Sequence, residues 1–328
     1  MNPARGLPAA VLPLILLSCS GCTNAMLAKY RDPQLLQTHR YRLGEQWLEA
    51  DGIRICYQER GKGPPVVILP GAGTSIDFWQ KNIPALEREF RVLAVDPPGF
   101  GKSDKPNASY DLLWICDRIQ AFLRAKRIER ASFIGGSMGG QLAMLIALRD
   151  PQRVDKLVLM GTSGTWDPPG PLLALALKTL YSEAIVTDHV RRNWPDIFHR
   201  MFMTRSCTID ELFRYQMAVK ADEARYWPEG RAMARALRSI FFHSCKQDAC
   251  RVQAPTLIVW GEHDKVHFPE AGLILRNRIP DSRLVVVPGA GHEVMVDQPE
   301  TFNRLVIRFL TEGTKAVEDQ LPGPRKRS

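Results

Sequence analysis

The 328-residue sequence contains no low-complexity tract and no repeat beyond a short Pro-Gly-Ala-Gly echo, which excludes solenoids and disordered scaffolds. It also lacks a basic stripe interleaved with aromatic residues. The net charge of +9 comes from scattered Lys and Arg, so no nucleic-acid partner is expected, although a basic surface near anionic lipid remains compatible. With 45% hydrophobic and 24% charged residues, the chain is expected to be globular with a substantial core.

Metal-type cysteine spacing is absent from the five cysteines that follow residue 22, and no metal or other cofactor is predicted. Cys116 falls on the apolar stripe of a helix-period segment, which indicates a buried small residue. Cys245 and Cys250 are close enough in sequence for a small disulfide loop, and this pairing stays open.

The first residues resemble an export signal more than a membrane span. The apolar stretch from Leu7 to Leu17 has 11 residues, interrupted by two prolines, whereas a spanning helix needs about 20. "LLSC", ending at Cys19, resembles the lipobox of bacterial lipoproteins. The resemblance implies a signal peptide over residues 1–18, cleavage before Cys19 and a lipid anchor on its sulfur, with Cys22 as the alternative; an uncleaved hydrophobic anchor remains open.

That resemblance also implies a location and a tether. It places the mature protein in the bacterial cell envelope, facing the periplasm and bound to a membrane through the lipid. Because Ser20 rather than Asp follows Cys19, the outer membrane is favoured over the inner one. Residues 19–46 would then be the tether between the anchor and the folded domain.

From about Trp47 the chain alternates strand-like and helix-like segments, the pattern of a mostly parallel sheet covered by helices. Asp51-Gly52 predicts a two-residue hairpin turn between the first two strands. Fully apolar runs such as "PVVILP", "ASFIGG" and "TLIVWG" predict buried central strands. A helix is expected over residues 77–89.

The alternation stops between residues 163 and 253, where helix-period segments such as "PLLALALKTLY" occur and core-type strands do not. We therefore predict a helical insertion at 163–253 within a core formed by 47–162 and 254–313. Residues 314–328 form a polar, proline-containing segment that is predicted to be a disordered tail.

A candidate nucleophile stands in the G-x-S-x-G pattern of "GGSMGG", at Ser137. The serine lies where a strand-like run ends and an apolar helix begins, and glycines leave room there for a sharp, exposed turn. A serine hydroxyl needs a neutral imidazole as base, and that imidazole needs a carboxylate to orient it.

His292 and Asp264 are the partners that the pattern predicts. Asp264 follows a central strand and His292 follows a buried strand and its Gly-rich turn, so both are expected at the sheet edge where Ser137 lies. Asp96 and Asp167 are weaker candidates for the acid. His263 and His267 have i, i+4 spacing, but they precede the next helix and no third ligand is evident, so a metal pair is disfavoured.

Two identical turns, "PGAG" at Pro70–Gly73 and at Pro288–Gly291, end buried strands at this same edge. The second presents His292. The first is placed to offer the Ala72 N–H to a developing oxyanion, with the Met138 N–H as its partner.

Together, "LPGAGTS", "DPPGFGKSD", "GGSMGG", "GEHD" and "GAGHE" resemble serine hydrolases of the α/β-hydrolase fold, over about residues 47–311. The resemblance implies an eight-stranded, mostly parallel sheet with helices on both faces, and a lid that shapes the pocket. Two positions depart from it: Pro70 stands where His is frequent, and Gly136 stands where His or Asn is frequent.

The function expected from these motifs is cleavage of carboxylic esters through an acyl-enzyme. The substrate would be a small-molecule or lipid ester, and an apolar stretch at the start of the lid suggests hydrophobic acyl groups. Hydrolysis of a C–C bond in a dienoate-type ketone is the alternative, because "DPPGFGKSD" and "GGSMGG" also resemble that branch. A binding protein that reuses the fold without catalysis is a third possibility.

Overall fold

The computed structural model describes residues 27, 30–31, 44–167, 170, 182–204 and 206–322. The predicted signal peptide and the candidate lipidation sites Cys19 and Cys22 lie outside this part of the chain.

An eight-stranded sheet organises the domain, as the sequence predicted. The strand order is β1-β2-β4-β3-β5-β6-β7-β8; β1 and β4 pair antiparallel with β2, and every other neighbouring pair is parallel. The strands are β1 Gln46–Ala50, β2 Ile53–Arg60, β3 Pro65–Leu69, β4 Arg91–Val95, β5 Ala131–Gly136, β6 Val154–Met160, β7 Thr256–Gly261 and β8 Ser282–Val287. The parallel strands are covered on both faces, which explains their unbroken apolar runs.

The hairpin between β1 and β2 has the predicted turn. Asp51 and Gly52 both adopt positive φ, 49° and 74°, and this backbone twist matches that of the flanking antiparallel strands. The turn thereby fixes the pairing of Ala50 with Ile53 at the sheet edge.

Helices connect the strands and cover the sheet. They are α1 Ile83–Leu86, α2 Leu112–Ala125, α3 Met138–Arg149, α4 Glu183–Met201, α5 Cys207–Ala221, α6 Glu223–Phe242, α7 Glu270–Arg276, α8 Val294–Asp297 and α9 Pro299–Glu312. The helix expected over 77–89 is wrong: a 3₁₀ turn at Ile76–Trp79 is followed by the separate short α1. Pro84 lacks an N–H and lies in the first turn of α1, so a continuous helix through this point is disfavoured.

The insertion contains α4, α5 and α6, which pack on one another above the sheet edge. Side-chain oxygens of Ser182 and Ser206 accept hydrogen bonds from backbone N–H groups in the first turns of α4 and α5. The Cys245 N–H donates to the Gly164 carbonyl oxygen at 2.8 Å, so the insertion leaves and rejoins the core at one point. The segment "PLLALALKTLY" lies outside the described residues.

The predicted disorder of the C-terminal tail is wrong for residues 314–322. A 3₁₀ turn at Thr314–Ala316 follows α9. The Gln320 N–H then donates to the Leu284 carbonyl oxygen of β8, and the Gln320 carbonyl oxygen accepts from the Val286 N–H. Asp319 accepts three hydrogen bonds from Arg276, two of them from the same Nε, and one from the Leu284 N–H. Polar residues here pair with a strand edge, which local composition cannot indicate.

Within the described ranges, no helix has the length and apolar character needed to cross a membrane. Cys245 and Cys250, whose pairing the sequence left open, form no disulfide with each other, because both are free thiols. Cys116 is fully buried, and burial raises the pKa of its thiol.

Candidate active site

Ser137 occupies a strained turn between β5 and α3. Its φ and ψ are 51° and −117°, a conformation that non-glycine residues rarely adopt and that is typical of a nucleophile presented at a strand–helix junction. The turn is tight: a Cβ at Gly139 would lie 1.9 Å from the Leu69 carbonyl oxygen. Glycine at this position is therefore a steric requirement of the turn.

His292 and Asp264 form a buried pair. The distance from His292 Nδ1 to Asp264 Oδ2 is 2.8 Å, and each residue is 3% exposed. Asp264 Oδ1 accepts backbone N–H bonds from Val266 and His267, which fixes the carboxylate. Burial lowers the pKa of His292, but attraction to Asp264 outweighs it and the pKa is raised overall. With Nδ1–H donated to the carboxylate, Nε2 is the nitrogen left for a proton transfer.

The end of β6 brings the serine and the histidine to one place. The Ser137 N–H donates to the Met160 carbonyl oxygen at 2.8 Å, and a Cβ on the next residue, Gly161, would lie 3.0 Å from His292 Cε1. In the described chain Ser137 Oγ makes no hydrogen bond to His292; it lies 3.5 Å from Ser163 Oγ. A loose nucleophile–base contact is common in structures without substrate.

The first Pro-Gly-Ala-Gly turn lies beside the serine. A Cβ at Gly71 would be 3.1 Å from the Ser137 Cβ, and the Thr74 hydroxyl donates to the Gly71 carbonyl oxygen to close the turn. The N–H groups of Ala72 and Met138 donate to no group in the described part of the chain. Two unused backbone donors beside a strained serine can stabilise an oxyanion.

Sequence reasoning missed a second polar pair beside the serine. Ser163 Oγ lies 3.1 Å from His267 Nε2, and the His267 and His292 ring centroids are 5.3 Å apart. Burial and the nearby His292 lower the pKa of His267 to about 4 against the attraction of Asp264, so this ring is neutral at pH 7. The strand-end rule that found Asp264 could have found Ser163, which follows β6.

Two more missed residues follow the base on its own loop. Asp297 accepts four hydrogen bonds: from the N–H groups of Gly291, Met203 and Thr204 and from the Thr204 hydroxyl. Glu293, which is 2% exposed, makes no side-chain hydrogen bond or ion pair in the described chain. The two carboxyl groups therefore lie in opposite environments, one fully hydrogen-bonded and one without a partner.

The weaker candidates lie elsewhere. Asp96 accepts N–H bonds from Ile76 and Lys102 at 2.8 Å each, so it braces a loop. Asp167 is exposed and pairs with Lys246, and His263 is exposed beside Glu262. Among the described residues, no group of three His, Cys, Asp or Glu side chains could hold a metal ion.

The lid covers the oxyanion turn. A Cβ at Gly73 would lie 2.5 Å from Met233 Cε and 2.6 Å from Trp194 Cη2, so α4 and α6 contact this turn directly. The ammonium group of the fully buried Lys220 lies 4.0 Å from the centre of the Trp194 ring. The roof of the site thus includes an aromatic ring, and the ammonium group behind it is paired with the Glu229 carboxylate at 3.6 Å and donates to Gln216 Oε1 at 2.8 Å.

Strained serine, buried histidine–carboxylate pair and free backbone donors at the carboxyl ends of parallel strands define a hydrolase-type site. The family described as alpha/beta hydrolase fold matches residues 64–299, and the chain belongs to it.

Several known proteins resemble this chain. A 2-hydroxy-6-oxo-6-(2'-aminophenyl)hexa-2,4-dienoic acid hydrolase from Metapseudomonas resinovorans is 28% identical over 273 residues, which cover 81% of this chain and 91% of that protein. The solved meta-cleavage product hydrolase from Pseudomonas fluorescens IP01 is 30% identical, with a TM-score of 0.67 and coverage of 81% and 97%. A solved bacterial membrane phospholipase A shares the fold at 24% identity, with a TM-score of 0.71 and coverage of 91% and 94%.

Proposed function

We propose that this α/β-hydrolase cleaves a C–C bond next to the ketone of a dienoate-type substrate. The observation that carries the proposal is the likeness to dienoate and meta-cleavage product hydrolases, which extends over more than nine tenths of each of those proteins. Such a span includes the lid as well as the core, and the lid is the part that shapes the pocket. This favours the alternative of the sequence analysis over ester cleavage.

The chemistry would use the residues that converge at the sheet edge. Ser137 Oγ attacks the ketone carbon while its proton passes to His292 Nε2, and the N–H groups of Ala72 and Met138 hold the oxyanion. Collapse of the adduct breaks the C–C bond, and the proton on His292 goes to the departing carbon. Water then hydrolyses the acyl-enzyme with His292 as base, and Asp264 orients the imidazole throughout.

A dienoate carries a carboxylate, and the lid offers positive charge for it. Arg191 is 6% exposed and lies one helical turn before Trp194 on the same face of α4, the face that contacts the oxyanion turn. Its Nε donates to the Lys220 backbone carbonyl oxygen at 2.9 Å, and its guanidinium carbon lies 6.0 Å from the centre of the Tyr226 ring, so these contacts hold the guanidinium in place. A preorganised guanidinium suits carboxylate recognition.

Carboxylic ester hydrolysis is the second candidate. The same serine, base and backbone donors suffice for this reaction. At Pro70 and Gly136, two positions around the nucleophile, this chain departs from the residues that are frequent in serine hydrolases of this fold. Apolar contacts below α4 also favour a hydrophobic acyl group: the rings of Phe78 and Phe202 stack with centroids 6.3 Å apart, and Phe198 packs on both.

A substrate panel separates the two reactions. We expect a 6-aryl-6-oxo-dienoate to be consumed with a kcat/KM at least tenfold above that of p-nitrophenyl acetate, butyrate and palmitate, and the Ser137→Ala variant to be inactive on all of them. Arg191→Gln should raise KM for the dienoate by about tenfold or more, because a charged hydrogen bond is worth about 1.5–3 kcal/mol, and should leave KM for the neutral acetate ester unchanged. Ester turnover without dienoate turnover would reverse the order of the candidates. Failure of a fluorophosphonate probe to label Ser137 would contradict both and favour a binding protein.

We further propose that the mature chain is tethered to the bacterial envelope, facing the periplasm, through a lipid on Cys19 or, failing that, Cys22. Support comes from "LLSC" and from the first described residues: Leu27 is 2% exposed, and the Tyr30 ring contacts Phe213 of α5 at 5.9 Å. Eight residues separate Cys19 from Leu27, and an extended chain of that length reaches at most about 28 Å, so an anchor would keep the lid close to the bilayer.

Labelling with a fatty-acid analogue tests this tether. We expect incorporation into the wild type and its loss in Cys19→Ala, with Cys22→Ala as the matched control. Loss in Cys22→Ala alone would assign the other cysteine, and no incorporation in the wild type would contradict the tether.

A further inference from the structure

Glu293 is a buried acid that the proposed reaction leaves unused. It directly follows His292 and precedes α8, and its backbone N–H donates to the Met201 carbonyl oxygen at the end of α4. At 2% exposure its carboxyl group forms no hydrogen bond or ion pair within the described chain, and it does not cap α8. Burying an unpaired carboxyl costs several kcal/mol, whereas an apolar side chain of similar size would cost nothing here. A buried carboxyl group that is retained despite this cost requires a functional explanation.

The charges around the imidazole explain what that role can be. Asp264 is bonded to His292 Nδ1, Asp297 is satisfied by four donors, and the neighbouring His267 ring is neutral. In the described chain, the hydrogen bonds between the end of α4 and this segment use backbone groups of α4 and its following residues and the Thr204 hydroxyl. Of the carboxyl groups of Asp264, Asp297 and Glu293, that of Glu293 is therefore the one that accepts no hydrogen bond in the described chain.

We propose that Glu293 is a positioning residue that stabilises the imidazolium form of His292 electrostatically, as a second carboxyl group beside Asp264. When Ser137 Oγ bonds to the substrate carbon, its proton moves to His292 Nε2 and the ring becomes positive. An ionised Glu293 lowers the energy of that state until the proton is passed to the leaving group. The charge is needed only transiently, which fits a carboxyl group with no permanent partner.

The titration of the two groups supports this assignment. Burial raises the pKa of Glu293 to about 7, Asp264 and Asp297 act in the same direction, and His292 opposes them. Glu293 in turn helps Asp264 to raise the pKa of His292.

The test uses the pH dependence of Ser137 labelling by a small fluorophosphonate, from pH 4.5 to 9. In Glu293→Gln we expect the acid midpoint of the labelling rate to fall by about one pH unit and the plateau rate to fall by about tenfold, because His292 loses an anion that stabilised its charged form. Glu300→Gln, the same change at an exposed position in α9, should match the wild type. An unshifted or raised midpoint in Glu293→Gln would overturn the proposal.

Unfolding measurements separate this role from a structural one. Because the folded-state pKa is raised, Glu293 weakens the fold increasingly as pH rises from its unfolded value of about 4.3 to about 7. Glu293→Gln and Glu293→Leu should therefore be at least as stable as the wild type at pH 8, and the difference should vanish near pH 4. Loss of stability in both variants at pH 8 would reveal a structural partner and contradict the inference.

This inference rests on the serine–histidine chemistry of the proposed function but not on its substrate. Labelling needs no substrate, so a protein that fails to cleave dienoates still tests Glu293. If Ser137 is not labelled at all, the proposed function fails, and an NMR titration of the His292 imidazole takes over. The His292 pKa is then expected to be lower in Glu293→Gln than in wild type, and an equal value would count against Glu293 alone.

Discussion

The carboxylate of Asp297 links the segment that carries His292 to the residues just after α4, and replacing it should make the domain easier to unfold. Oδ2 accepts from the N–H groups of Gly291 and Met203 at 2.8 and 2.9 Å, and Oδ1 accepts from the Thr204 N–H and hydroxyl at 3.0 and 2.6 Å. In Asp297→Asn one oxygen can still accept, but the amide NH₂ faces two donors. Two donors in a site only 7% exposed lose their acceptor. At about 1–2 kcal/mol each, the expected loss is about 2–4 kcal/mol.

Thermal and urea unfolding check this magnitude. For a domain of this size each kcal/mol corresponds to about 2–4 °C, so the Asn variant should melt roughly 5–15 °C lower. Thr204→Val removes only the hydroxyl bond and should cost about 1 kcal/mol. If Asp297→Asn were no less stable than Thr204→Val, the carboxylate would not be the link described here. Labelling of Ser137 should also slow in Asp297→Asn, because Gly291 precedes the base.

Three further outcomes follow from single contacts. Asp264→Asn should lower kcat by about 10⁴ without unfolding the protein, since an amide favours the wrong imidazole tautomer, and a loss below tenfold in steady-state assays would contradict its role. Gly139→Ala should cost more than about 2 kcal/mol in urea unfolding, because its Cβ would lie 1.9 Å from the Leu69 carbonyl oxygen. Gly170→Ala, which would meet no atom of the described residues within 4 Å, should be neutral. Hydrogen bonding to His243 lowers the pKa of Asp111 to about 2. The loss of stability in Asp111→Asn should therefore be complete above about pH 4 and should shrink as the pH falls toward 2. A difference in melting temperature that does not change with pH would argue against this pair.

The sheet and the candidate site could be predicted because their signals are local. An apolar β-branched run identifies a buried strand, and a polar residue within the first few positions after it lies at the carboxyl edge of a parallel sheet. Ser137, Asp264 and His292 all satisfy this rule, and the structure places His292 Nδ1 2.8 Å from Asp264 Oδ2. The Asp51-Gly52 turn was predictable for the same reason, since its backbone conformation depends on two adjacent residues.

Long-range contacts account for what sequence reasoning missed. Residues 314–322 have the composition of a disordered tail, yet Asp319 and Gln320 find hydrogen-bond partners on α7 and β8 that no local pattern reveals. The expected helix over 77–89 is wrong for a different reason. The apolar residues there have helix-like spacing, but Pro84 disfavours a continuous helix. Ser163 was visible to the strand-end rule, but its partner His267 lies more than a hundred residues away.

Glu293 and Asp297 show why the chemistry of the base could not be inferred from its own loop. Both are acids, four positions apart on one short segment, and nothing near them in sequence distinguishes their roles. The end of α4 does: Met203 and Thr204 present their donors to Asp297, while Met201 presents only a carbonyl oxygen toward the backbone of Glu293. One carboxyl group is thereby fixed as a structural link, and the other, on the buried residue next to His292, has no hydrogen-bond partner among the described residues. The lid supplies none of the three reacting side chains, yet the residues at the end of α4 determine which of these two acids is held by hydrogen bonds.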